Sequence, residues 1–441
     1  MGNGVFIQKA KLNCLKKVLI ISYYWPPAGG PGVQRWLKFC TYLPQYGIEP
    51  IVYIPENPSY PIIDHHIKNE VPEGIQILKQ PIFEPYNLAS KLGGKSPTEI
   101  SSGVIPPEAS QTRKQKMLLW IRGNFFIPDA RKNWVKPSIS FLTKKIEEHA
   151  IDTIITTGPP HSLHLIGLGL KRKLNVNWIA DFRDPWTSIG YHKKMRLTKT
   201  AANKHIELEN EVLNTADKII VTSKGTQLEF AQKTTQPIHI ITNGFEPSIK
   251  EKNTVLDQKF SLAHIGSLLS ARNPLILWEA LSELLTENDQ FAASFELKFA
   301  GVVSATVMQS ITSYGLKKYV TNLGYISHKK AVELQHQSQV LLLIEIDSSE
   351  TQMIIPGKLF EYIQSRRPIL SLGPLKADFS AIISETCTGT FFTYTEKELL
   401  KNQICVYFEL YLKNNLSVSP QGIEKYTRKN LTAQLAQLLN N

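Results

Sequence analysis

Short runs rich in valine and isoleucine alternate with longer stretches of helical periodicity along almost the whole chain, in two successive sets. Strands spaced this far apart are joined by helical crossovers rather than hairpins, and they build βαβ units in parallel sheets. The first set reads as strands at Lys17–Ser22, Pro50–Ile54, Gln76–Gln80, Asp152–Thr157, Trp178–Phe182, Lys218–Thr222 and His239–Thr242. The second follows at Ser261–Ile265, Glu296–Ala300, Thr321–Gly324, Val340–Ile346, Pro368–Leu372 and Thr390–Tyr394. Two such sets predict an α/β chain of two Rossmann-like domains, and 441 residues suit that number better than one core. The polar, turn-rich stretch NGFEPSIKEKNTVLDQ at 243–258 marks the border, giving domains at 1–245 and 246–420. A helix from Gly422 to Leu439, with Leu431, Leu435, Leu438 and Leu439 at helical spacing, makes 421–441 a packing element expected to return to the N-terminal domain.

Apolar residues form 42% of the chain and charged ones 20%, the balance of an ordered globular protein. The formal net charge of +12 favours anionic partners such as nucleotide phosphates or an acidic membrane face, or else marks only a basic solvated surface. Nucleic acid is not an expected partner, since the basic residues are dispersed and no reading module is seen. Cys14, Cys40, Cys387 and Cys405 show neither C-x-x-C spacing nor a neighbouring histidine group, so no metal site and no disulfide framework is predicted. A cytoplasmic location is the simplest reading. The apolar run Val18–Trp25 ends in Pro26-Pro27 and does not resemble a signal peptide. No stretch reaches the ~20 apolar residues of a membrane span, so any membrane contact is peripheral, at the inner face of the cytoplasmic membrane. A polar insertion, Asn87–Ser110, precedes a segment at Lys116–Pro137 that mixes Leu118, Leu119, Trp120, Phe125, Phe126 and Trp134 with Arg122, Arg131, Lys132 and Lys136. That mixture suits an interfacial membrane contact or an acceptor lip, or, more simply, a helix buried by its aromatics with its charges in water.

Candidate chemistry gathers where strands end. The stretch SYYWPPAGGPGVQR at 22–35 leads from the first strand through glycines into a helix from about Val33, an arrangement that attracts phosphate or carboxylate. It is not a dinucleotide fingerprint, because Gly30 and Gly32 come late and Arg35 stands in the third glycine slot. On this reading Arg35 is an ordinary helix residue. In TTGPPHSLHLIG at 156–167, His161 either meets a ligand or caps a helix. In IADFRDPW at 179–186, Asp181, Arg183 and Asp184 crowd a strand end, facing a ligand crevice or forming a structural pair. The second set offers Gly266 and Arg272 in AHIGSLLSARNP, then Gly357, Lys358 and Glu361 in IIPGKLFEYIQSRRPIL. Lys358 and Glu361 fall on one helical turn, either to grip phosphate and ribose or as an i,i+3 surface pair.

In this order, YYWPPAGGPGVQR, WIADFRDPW, IIVTSKG, ITNGFEP, HIGSLLSARNP and PGKLFEYIQSRRPIL resemble the retaining glycosyltransferases of family 4, glycosyl transferases group 1, and most closely bacterial members that build surface polysaccharides. The resemblance implies a GT-B fold, with two Rossmann-like domains facing across a cleft. It implies a nucleotide diphosphate sugar as donor, a glycan or lipid-linked acceptor, and retention by front-face attack without a metal or other cofactor. Gly29, Gly30 and Gly32 would approach the donor phosphate and acceptor, Arg272 would neutralise the diphosphate, Gly266, Gly357 and Lys358 would lie at the phosphates, and Glu361 would hold the ribose as the second glutamate of E-x7-E. Asp181, Arg183, Asp184 and His161 are the candidate catalytic residues. The chain departs from the pattern at Ser267, where an arginine is usual, at Met353, in the first glutamate position, and at Arg183 or Asp184, where the N-domain histidine is usual. Met353 and Ser267 leave a non-catalytic nucleotide-sugar-binding subunit as one alternative, and the shared two-domain fold leaves a nucleotide-sugar epimerase as another.

Overall fold

The computed structural model describes residues 15–64, 66–84, 112–193, 195–247 and 255–441. The insertion at 87–110, residues 248–254 of the expected border and Cys14 lie outside them. Every expected strand is present, with no end displaced by more than two residues. β1 (Lys16–Ile21), β2 (Ile48–Pro55), β3 (Gln76–Gln80), β4 (Thr153–Gly158), β5 (Asn177–Phe182), β6 (Lys218–Val221) and β7 (Ile238–Ile240) form a seven-stranded sheet in the order β3-β2-β1-β4-β5-β6-β7. β8 (Phe260–Ile265), β9 (Phe295–Ala300), β10 (Val320–Asn322), β11 (Val340–Ile344), β12 (Ile369–Gly373) and β13 (Gly389–Thr393) form a six-stranded sheet in the order β10-β9-β8-β11-β12-β13. β1 pairs in parallel with β2 and β4, and β8 with β9 and β11. The first strand of each set is therefore interior, and the chain reverses its winding beside it. The carboxyl ends of β1/β4 and of β8/β11 are topological switch points, where open α/β sheets take their ligands.

Burial on both faces explains the unbroken apolar runs: Val18–Ile21 of β1 and Val340–Ile344 of β11 are buried at every position. In β8, Phe260 and Leu262 join one apolar cluster while Ala263 and Ile265 join another, the period-two division of a sheet covered on both sides. The helices that bear on the site are α1 (Pro31–Tyr42), α2 (Arg113–Phe125), α3 (Lys132–His149), α4 (Ser162–Lys173), α5 (His328–Gln337), α6 (Lys358–Ser365) and α7 (Arg428–Asn440). The chain divides into two compact units: one takes the described residues up to Asp181 with Leu197–Ile219 and Thr432–Asn441, the other Phe182–Arg196 and Ile220–Leu431.

Two expectations are corrected. The helix read from Gly422 to Leu439 is broken: Gly422, at φ 59°, opens a 3-10 turn Ile423–Tyr426, Thr427 is extended, and α7 begins at Arg428. The last carbonyls of α7, on Leu438 and Leu439, accept from the ammonium groups of Lys218 and Lys16 at 2.8 and 2.6 Å, placing cations at the negative end of the helix. The basic, aromatic segment 116–137 is also two things rather than one. α2 leaves Met117, Leu118, Trp120 and Phe125 exposed. In contrast, Arg131 and Trp134 are buried, Arg131 beside the Glu84 carboxylate at 3.2 Å and Trp134 stacked on Tyr53 at 4.8 Å, so neither forms part of an exposed lip.

Candidate functional site

At the switch point of the second sheet, β8 ends and Gly266 follows with φ 118°, a left-handed conformation that favours glycine. Its N–H donates to the Ala300 carbonyl at 2.7 Å. A Cβ at Gly266 would stand 3.0 Å from Nζ of Lys358, so the missing side chain lets that amine lie close against the backbone. Gly301, at φ 117°, lies behind it, and a Cβ there would meet the Gly266 carbonyl carbon at 2.7 Å. Gly301 escaped the sequence reading although it directly follows a strand, the position that gave Gly266 its significance.

Lys358 opens α6 with Gly357 at the N-cap, and its Nζ lies 3.1 Å from Nε2 of His264. His264 is wholly buried at the penultimate position of β8. Its Nδ1 lies 3.1 Å from the Leu342 carbonyl, which only accepts, so Nδ1 carries the proton and Nε2 accepts from Lys358. Burial, reinforced by the Lys358 charge, holds the imidazole pKa well below its usual value, and the ring is neutral at pH 7. Lys358 is itself pushed down to about 7, first by burial and then by the Arg272 cation, against the opposing pull of Glu345 and Glu361.

Arg272 closes a 3-10 turn, Ser270–Arg272, and grips Glu345 with Nε to Oε1 at 3.1 Å and Nη2 to Oε2 at 3.2 Å. Glu345 is 1% exposed just beyond β11, and its Oε1 also accepts the Ile346 N–H at 2.8 Å. The fork fixes the guanidinium plane while a third of the arginine side chain remains exposed. Two basic groups thus lie at a helix start, where the one buried carboxylate between them, Glu345, is gripped by Arg272, an arrangement suited to a phosphate-bearing ligand. Glu361 does not pair with Lys358 across the turn: its oxygens accept from His328 Nε2 at 3.2 Å and Gln335 Nε2 at 2.9 Å, both on α5. Burial pushes the Glu361 carboxyl up, but the His328 and Gln335 hydrogen bonds outweigh it and the net shift is downward.

The first sheet presents a different picture. Gly30, at φ 112°, is the N-cap of α1, which starts at Pro31 rather than near Val33, so Gly32 lies in the first helical turn. Gly29 packs against the chain beyond β2: its N–H donates to the Ile62 carbonyl at 3.1 Å, and a Cβ would touch Ile62 Cγ2 at 3.0 Å. Arg35 is not an ordinary helix residue. It is buried, with Nη2 2.9 Å from Oδ1 of Asp181, and its guanidinium lies 5.0 Å from the Phe39 ring. Asp181 also accepts from Trp36 Nε1 at 3.0 Å and Thr157 Oγ1 at 2.8 Å, and none of it is exposed. Of the two readings of Asp181, this geometry favours the structural pair, with Arg35 rather than Arg183 as its ionic partner. The signal was present in the sequence, since an aspartate inside WIADF needs a buried cation. His161 occupies the N-cap of α4 without capping it through its side chain. That task falls to Asp129, whose carboxylate accepts from the Ser162 N–H and hydroxyl at 2.8 and 2.9 Å. Arg183 and Asp184 are half-buried just past β5.

Among the described residues, no group of three or more His, Cys, Asp or Glu side chains is placed to hold a metal ion. Also among them, no helix is long and apolar enough to cross a membrane. No protein-family model matches the chain, and no curated protein matches it. Solved structures do. WaaG, a glycosyltransferase involved in lipopolysaccharide biosynthesis, aligns at TM-score 0.54 and 12% identity over 96% of this chain and 100% of its own. HepE of Anabaena, solved in complex with UDP and glucose, aligns at 0.59 and 15% over 97% and 100%. Sucrose-phosphate synthase of Thermosynechococcus elongatus aligns at 0.57 and 14% over 96% and 98%. The likeness extends over both sheets and gives this chain the GT-B fold of two parallel-sheet α/β domains.

Proposed function

We propose that the chain is a glycosyltransferase that moves a sugar, with retention, from a nucleotide diphosphate sugar to a glycan or lipid-linked acceptor. The observation that carries this reading is the pair of cations, Arg272 and Lys358, held beside Gly266 and the start of α6 at the switch point of the second sheet. A diphosphate leaving group develops negative charge as the bond to the sugar breaks, and fixed cations with a helix N-terminus stabilise that charge. The acceptor hydroxyl attacks the same face of the sugar, and its proton passes to the departing phosphate oxygen. Glu361, already oriented by His328 and Gln335, is the proposed ribose ligand. His161, Arg183 and Asp184 are proposed on the acceptor side, together with the glycine loop before α1. Asp181 acts there only through Arg35, by holding α1 against the sheet.

The neighbouring structures of HepE with UDP and glucose, and with UDP-glucose, support a nucleotide-sugar donor. The exposed Met117, Leu118, Trp120 and Phe125 of α2, beside exposed Arg113 and Lys114, support peripheral contact with an anionic membrane at the cytoplasmic face, where a lipid-linked acceptor would be met. A thermal-shift panel of nucleotide sugars tests the reading: one donor class should raise the melting midpoint in the wild type and not in Arg272→Ala. Stabilisation unchanged by Arg272→Ala would remove that residue from the site. Binding without transfer to any acceptor pool would favour the non-catalytic subunit that Met353 and Ser267 suggest.

A further inference from the structure

We infer that His264 is a positioning residue for the donor site: its buried imidazole holds the Lys358 amine beside Gly266, where a bound anion would meet it. The inference rests on the nucleotide diphosphate reading above. The geometry carries it from both ends of the ring. Leu342 fixes Nδ1 as the donor, leaving Nε2 as an acceptor 3.1 Å from Nζ, while the absent side chain of Gly266 lets the amine lie against the backbone at the strand end. An acceptor with no charge of its own orients an amine without neutralising it, unlike a carboxylate in the same place. The charged groups around Nζ are Arg272 from the turn after β8, Glu345 from the end of β11, and Glu361 from its own helix. Glu345 is already spent on Arg272, and Glu361 is engaged by His328 and Gln335. The ligand-free amine therefore titrates at about 7, and a diphosphate supplies the negative charge that raises it.

The sign follows from linkage. Above the free pKa the amine is largely neutral, so anion binding takes up protons and affinity falls as pH rises; below it the amine is already charged and uptake vanishes. Calorimetry of UDP, GDP and ADP at pH 8, in two buffers of different ionisation enthalpy, should show uptake of about 0.9 proton for whichever binds. Lys358→Arg, charged throughout, should abolish the uptake, and uptake persisting in that variant, or missing in the wild type, overturns the assignment. His264→Phe should weaken binding by ~10-fold or more and move the pH midpoint of affinity lower, because the charged amine loses its acceptor. His264→Gln, which restores an acceptor, should recover part of both. His264→Phe binding as the wild type does, with an unchanged midpoint, overturns the positioning role; should that variant not fold, the wild-type proton count still decides. If no nucleotide binds but inorganic pyrophosphate does, and its proton count and affinity change in Lys358→Arg and His264→Phe, the nucleotide reading fails and the His264–Lys358 assignment stands. If none of them binds, both fail.

Discussion

Replacing Asp181 by asparagine separates a structural carboxylate from a catalytic one. The carboxylate receives Arg35, Trp36 and Thr157 at 2.8–3.0 Å and has no exposed surface. Asp181→Asn keeps the shape but leaves the Arg35 guanidinium buried without its counter-charge, and turns an NH2 group towards donors. Breaking a buried ion pair from one side costs about 3–5 kcal/mol, far above the median value of a surface pair. For a unit of this size that corresponds to a fall in melting temperature of roughly 6–20 °C. Urea unfolding followed by tryptophan fluorescence is well placed to read it, because Trp36 donates directly to the replaced group and Trp178 lies in the same unit. Replacing both partners, as Arg35→Met with Asp181→Leu, should recover much of the loss, since an apolar pair of similar volume leaves no stranded charge. A single variant that loses less than about 1 kcal/mol while transfer disappears would refute the structural assignment and return Asp181 to the reaction, since a loss that small is what an exposed pair gives.

Asp129→Ala should cost about 1 kcal/mol, because the Ser162 N–H at the start of α4 loses its acceptor; an unchanged midpoint in chemical denaturation would show that another group caps the helix. Gly301→Ala should cost roughly 1–3 kcal/mol from its positive φ alone, and should also reduce stabilisation by nucleotide diphosphate because the new Cβ meets Gly266 backbone; thermal shift with and without nucleotide separates the two effects. Trp120→Ser together with Phe125→Ser should lower sedimentation with anionic vesicles and leave the melting midpoint nearly unchanged, since both side chains are exposed; equal sedimentation would remove α2 from membrane contact.

Strand positions were legible because parallel strands covered on both faces must be apolar throughout, and that demand is local to each run. The glycines and basic residues at strand ends were legible for a similar reason: a switch point is a place in a topology, and alternating elements reveal topology. What stayed hidden were partnerships across long stretches of chain. His264 lies in LAHIG and looks like any polar residue in a buried strand; only Lys358, 94 positions on, gives it a task. Glu345 in LLLIEID is equally plain until Arg272, 73 positions earlier, takes hold of it. Arg35 was misread because its partner is 146 positions away. In each case a charged or titratable group inside an apolar run was the available clue, since such a group must find a partner somewhere.

The division into units has a consequence for the order in which the protein can be finished during synthesis. The unit built on β1–β4 includes Thr432–Asn441, whereas the other ends at Leu431. Its strand β1 must also wait for β4, with Val18 paired to Thr153, while β8 waits a shorter interval for β11, with Leu262 paired to Val340. Closing a longer loop is slower and carries a larger entropic cost. The part of the chain translated first is therefore completed last, and for most of synthesis its sheet must persist without the helix whose final carbonyls are held by Lys16 and Lys218.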